Sequence, residues 1–70
     1  MNLRETLLRT RDDNGKPISQ NKLANELSYY INDQVTSQKI SYWIKNSIPP
    51  VWEFVLRRFF KDNNIEIVEL

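Results

Sequence analysis

Thr36-Ser37-Gln38-Lys39-Ile40-Ser41-Tyr42-Trp43-Ile44-Lys45-Asn46 is the stretch that decides the fold. Ile40, Trp43 and Ile44 follow the i, i+3, i+4 rule, so one narrow arc of a helix faces a core. At 100° per residue, Gln38, Ser41, Tyr42 and Lys45 occupy the opposite arc, and none of them is acidic. Thr36 is a good N-cap, and Val35 and Ile40 stand at the two positions of a hydrophobic staple. Asn46-Ser47 closes the segment. A helix that enters a major groove needs this division: one face locked to a scaffold, the other carrying hydrogen-bonding side chains. A polar outer face is also normal for any surface helix, so periodicity alone leaves both roles open.

Working back toward the N-terminus, Ser19 caps a second predicted helix, with Ile18 and Leu23 at its staple positions. Leu23, Leu27 and Tyr30, flanked by Ala24 and Ile31, share its apolar face, and Asn32-Asp33-Gln34 ends it. Before it lies Asp12-Asp13-Asn14-Gly15-Lys16-Pro17, rich in turn signals. Aligned as a calcium loop, this stretch puts Thr10 and Asn21 at the first and last ligand positions, where acids belong, so it reads as a plain turn. A first helix is expected from about Asn2 to Thr10, with Leu3, Leu7 and Leu8 on one side.

Working forward, Ile48-Pro49-Pro50 is extended, and Pro50 suits the first turn of a fourth helix reaching about Lys61. Its expected buried stripe is Val51, Trp52, Val55, Leu56 and Phe59, with Phe54 and Phe60 outside it. Ile65 to Leu70 is rich in β-branched residues and reads as a short strand or a loose end. The fold class expected is all-α: a compact four-helix domain over residues 1–64 with a helix-turn-helix, followed by an extended tail, 65–70.

Seventy residues make one domain at most. The composition, 40% hydrophobic and 27% charged, is that of a globular chain. The net charge of +1 is unevenly spread. After Lys61 only Asp62, Glu66 and Glu69 are charged, so six of the nine acids face all ten Lys and Arg in the body, leaving it about +4. That imbalance favours an anionic partner weakly. No cysteine or histidine is present, which removes thiolate metal sites, the commonest metal ligand and the commonest general base. Gly15 is the only glycine, so a Gly-rich phosphate loop is impossible, and the scattered acids form no pair for catalysis. No enzyme activity, metal or cofactor is expected. The N-terminus lacks a signal-peptide run, and no segment approaches the roughly 20 apolar residues of a membrane span, so a cytoplasmic protein is expected.

Three stretches together resemble the Cro/cI-type (XRE/YdaS-like) helix-turn-helix phage regulators. Ser19 to Leu27 is similar to the family's first motif helix: Ser-Gln, two residues, then Leu-Ala and a further apolar residue. Thr36 to Asn46 resembles the recognition helix, and Ile48-Pro49-Pro50-Val51-Trp52-Glu53 the lead into the next helix. The resemblance spans Ser19 to Phe60 and implies a lambda-repressor-like domain that represses transcription. It implies a phosphate contact and a brace on the recognition helix for Gln20, and a backbone contact for Thr36. Base-edge contacts are implied for Ser37, Gln38 and Tyr42 with Ser41 beside them, and phosphate contacts for Lys45 and Asn46. Lys39 is lateral and suits either purpose. The implied partner is double-stranded DNA with a two-fold operator, bound by a homodimer. The tail strand or the Phe54/Phe60 face would form the dimer contact.

The family has a glycine and a tight turn between the two motif helices. Here Ser28 takes the glycine position and Tyr29 to Gln34 are extra. The expected solution is a second helix running one further turn, through Ile31, before a loop at Asn32-Asp33-Gln34. A protein-binding helical module such as an antitoxin, and an autorepressor of an anti-CRISPR operon, are the alternatives the sequence leaves open.

Overall fold

Capping chemistry places the helices of the computed structural model, which describes residues 1–70. Helix α1 is Leu3–Arg9, α2 is Gln20–Ile31, α3 is Ser37–Lys45 and α4 is Pro50–Asp62. Asn2, Ser19 and Thr36 each accept an early backbone N–H with a side-chain oxygen, from Glu5, Lys22 and Lys39 respectively. Pro50 opens α4, where its missing N–H costs nothing. With one glycine in the chain, asparagine takes the left-handed ends. Asn32 (φ 54°) ends α2 and Asn64 (φ 57°) follows α4. At each end the next amide reaches back: Asp33 N–H to the Ser28 carbonyl at 3.1 Å, and Ile65 N–H to the Phe60 carbonyl at 2.8 Å. The second helix thus runs through Ile31, as expected from its apolar face.

Between α1 and α2 the chain makes a tight loop closed by an isolated antiparallel bridge from Arg11 to Pro17. Asp12 Oδ1 accepts the amides of Asn14 (2.8 Å) and Lys16 (3.0 Å), and the Lys16 bond above all holds its carboxyl below the ordinary range. Gly15, at φ 79°, supplies the left-handed residue this turn requires.

The helices enclose one core of Leu3, Leu7, Leu23, Ala24, Leu27, Val35, Ile40, Trp43, Leu56, Phe59 and Phe60. A radius of gyration of 11.1 Å makes the all-helical domain compact. Each fully buried Leu, Ile or Phe contributes roughly 1.5–3 kcal/mol. Trp43 and Trp52 meet with ring centroids 5.0 Å apart, joining α3 to α4.

Three sequence expectations are corrected. On α4, Phe60 is fully buried while Val51 is 73% exposed. The buried arc is centred on Leu56, and Phe60 lies four residues after it, whereas Val51 lies five before it and swings out. On α1, Leu8 is exposed and Thr6 takes the inward place, three residues after Leu3. On α2, Tyr30 is 39% exposed and keeps its apolar contact, packing edge-on against Phe59 at 5.3 Å and donating its hydroxyl proton to Asp62.

The tail is the third correction: Ile65 to Leu70 forms no strand. It folds back against α1. The Asn2 amide donates to the Val68 carbonyl at 2.7 Å, and the Val68 amide donates to Thr6 Oγ1 at 3.0 Å. Arg57 holds Glu69 through two 2.9 Å bonds, and Ile65 and Ile67 pack against the core. The tail that the sequence reads as a strand finds its hydrogen-bond partners at a helix of the same chain. No helix is long and apolar enough to cross a membrane.

Candidate nucleic-acid interface

Helix α3 is fixed from behind. Ile40 and Trp43 are buried and Ile44 is half-buried. The cap sits where the sequence places it, with Thr36 Oγ1 accepting the Lys39 amide at 3.2 Å. The five residues 32–36 join α2 to α3.

With that arc occupied, the other arc is turned out. Gln38, Tyr42 and Lys45 are exposed, Tyr42 to 62%. Ser37 and Ser41 are half-buried on the flank. Asn46 directs its amide back along the helix, Nδ2 donating one hydrogen to the Tyr42 carbonyl at 3.2 Å, which leaves its second N–H for an outside acceptor. Lys39 leans away from the arc: its Nζ sits 4.6 Å from the centroid of the Trp52 ring, a cation–π contact. Gln38, Tyr42, Lys45 and Ser41 therefore form one surface, while Lys39 is tied to α4.

The electrostatics of this face follow from what it lacks. No acid occurs between Asp33 and Glu53. Asp33 caps its own loop, its Oδ1 accepting the Gln34 amide at 2.7 Å. Glu53 pairs with Arg57 at 3.5 Å. A phosphate approaching α3 meets Lys45 without a carboxylate opposing it on that helix.

Gln20 is exposed at the first position of α2 and shares a groove with Arg4, Leu7, Leu8, Ile18, Ser19 and Ile44. Its groove neighbour on α3 is Ile44, near the C-terminal end of that helix, and its side chain makes no hydrogen bond to α3. The brace on α3 that the resemblance implies for Gln20 is therefore not made by a hydrogen bond.

Arg4 is the residue that sequence reasoning missed. It is exposed, and it lines both the groove holding Gln20 and the neighbouring groove holding Asn46 and Ser47. It therefore stands between two side chains that the resemblance assigns to phosphates. No motif links α1 to α3, so only the folded chain makes them neighbours.

The face offers amide, hydroxyl, phenol and ammonium groups. A Gln amide can pair with the N6/N7 edge of adenine, and hydroxyl and ammonium groups suit base edges or phosphates. No group of three or more His, Cys, Asp or Glu side chains gathers to hold a metal ion. No protein family, curated protein or solved structure matches the chain.

Proposed function

We propose that this chain is a sequence-specific DNA-binding regulator that inserts α3 into the major groove, in the manner the Cro/cI-type resemblance implies. The observation that carries the proposal is the division of α3: Ile40 and Trp43 buried behind it, and Gln38, Tyr42 and Lys45 exposed in front with no acid among them. Gln38, near the start of the helix, reads a base edge with Ser37, Ser41 and Tyr42. Lys45, Asn46 and Gln20 hold phosphates. Transcriptional repression in a bacterial cytoplasm, without a cofactor, completes the role.

The active form is a homodimer on a two-fold site, since one recognition helix covers only a few base pairs. The tail is occupied by α1 and Phe60 lies in the core. Val51 and Phe54 are the exposed apolar side chains left on α4 to meet a second copy. The same two residues favour a second role, as a helical module that binds a protein.

Selection of bound sites from random duplex DNA, followed by titration at two salt concentrations, tests the assignment. A two-fold consensus is expected, with affinity falling steeply as salt rises because Lys and Arg contacts release counterions. A folded chain that enriches no sequence refutes it and leaves the protein-binding role.

A further inference from the structure

Ser28 stands where the resembling family has a glycine, and its hydroxyl lies among three backbone atoms. It accepts the Val35 amide at 2.8 Å. The Ala24 carbonyl lies at 2.6 Å and the Val35 carbonyl at 3.0 Å, either of which can take its one proton. The Ser28 carbonyl accepts the amide of Asp33 at 3.1 Å. One residue therefore grips the α2–α3 connection twice, at Asp33 and at Val35.

Val35 is the residue before the Thr36 cap, and its side chain is buried in the core with Ile40. Its placement sets where α3 begins and in which direction it leaves. Burial of an apolar side chain is non-directional, whereas a hydrogen bond fixes both distance and angle. Building on the DNA-binding role above, we propose that Ser28 is a positioning residue: its hydroxyl clasps the Val35 amide and so sets the pose of α3 against the rest of the domain. A long connection between two such helices would otherwise leave the second free to shift, and recognition tolerates only about 0.5 Å of misplacement. The clasp supplies what a tight glycine turn supplies elsewhere.

Ser28→Ala removes the clasp and Ser28→Thr keeps it. In the free protein, amide exchange at Val35 is compared with exchange at Leu27, which reports global opening. Ser28→Ala should lower Val35 protection on the order of tenfold beyond any change at Leu27. Residual dipolar couplings should show α3 rotated relative to α2, and Ser28→Thr should restore both. On DNA, the ratio of specific to random-sequence affinity should fall roughly tenfold in Ser28→Ala and recover in Ser28→Thr. The salt slope should not change, since the phosphate contacts remain. Unchanged Val35 protection, or an unrotated α3 with Val35 freed, overturns the proposal. Should Ser28→Ala fail to fold, Ser28→Cys, of similar volume but with a weak acceptor, takes its place in the same comparison. A wild-type chain with no sequence preference refutes DNA reading, and the exchange and coupling data still decide the clasp.

Discussion

Thr6 and Val68 meet across almost the whole length of the chain: the Thr6 hydroxyl accepts the Val68 amide at 3.0 Å and donates its proton to the Asn2 carbonyl at 2.7 Å. The side chain of Thr6 is fully buried, and its hydroxyl is partnered both as donor and as acceptor. The arrangement repeats that of Ser28, whose hydroxyl also lies against the carbonyl four residues back while holding the amide of a distant valine. In both cases a helical hydroxyl captures a segment that has no secondary structure of its own.

Thr6→Val tests that capture. It keeps the shape and strands the Val68 amide, so a loss of about 1–3 kcal/mol in urea unfolding is expected. Thr6→Ser keeps the hydroxyl and should cost about 0.8 kcal/mol for the lost methyl. Equal losses in the two variants would show that packing alone matters at this site.

Phe54 and Phe60 should behave as opposites, although both fall outside the stripe read from the sequence. Phe60→Ala empties a fully buried site and should cost about 3–5 kcal/mol. Phe54 is 68% exposed, and Phe54→Ala should change monomer stability by no more than about 0.5 kcal/mol. Thermal melts at a concentration where the chain is monomeric decide between these outcomes.

Glu69 links the tail to pH. Its hydrogen bonds from Arg57, more than any other cause, hold its carboxyl down at about 2 against an ordinary 4.5. A carboxylate depressed in the folded state stabilises above its unfolded value, and that contribution fades as pH falls from about 4.5 through about 2. Glu69→Gln should lower the urea midpoint at pH 7, with the difference from wild type closing toward pH 2. A difference that stays constant over this range would rule out the pairing as its source.

Gln38 and Lys45 should separate base reading from phosphate binding. Gln38→Ala is expected to cost about 1–3 kcal/mol on the preferred site and little on random DNA. Lys45→Ala should weaken all sequences alike and reduce the salt slope by about one. Identical losses for both variants on both DNAs would remove the division of roles along α3.

The sequence by itself determined the helices and their ends. Ser19 and Thr36 cap, Pro50 opens α4, and the apolar face of α2 continues through Ile31, because these signals act within a few residues of chain. It also determined which arc of α3 is buried, since Ile40, Trp43 and Ile44 leave no second choice. Broader arcs were decided only in the tertiary structure. Val51 and Phe60 are both apolar residues of α4, and the neighbours α4 packs on choose Phe60. Thr6 and Ser28 read as ordinary polar positions, because a hydroxyl's value depends on which amide arrives beside it. The tail's composition asks for extended backbone, which a strand or a fold-back path satisfies equally. Its hydrogen bonds go to α1 because Thr6 and Asn2 stand ready there, and residues so far apart in sequence become partners only when the core closes. Arg4, Gln20 and Asn46 come together for the same reason: three helices must pack before their ends share one edge.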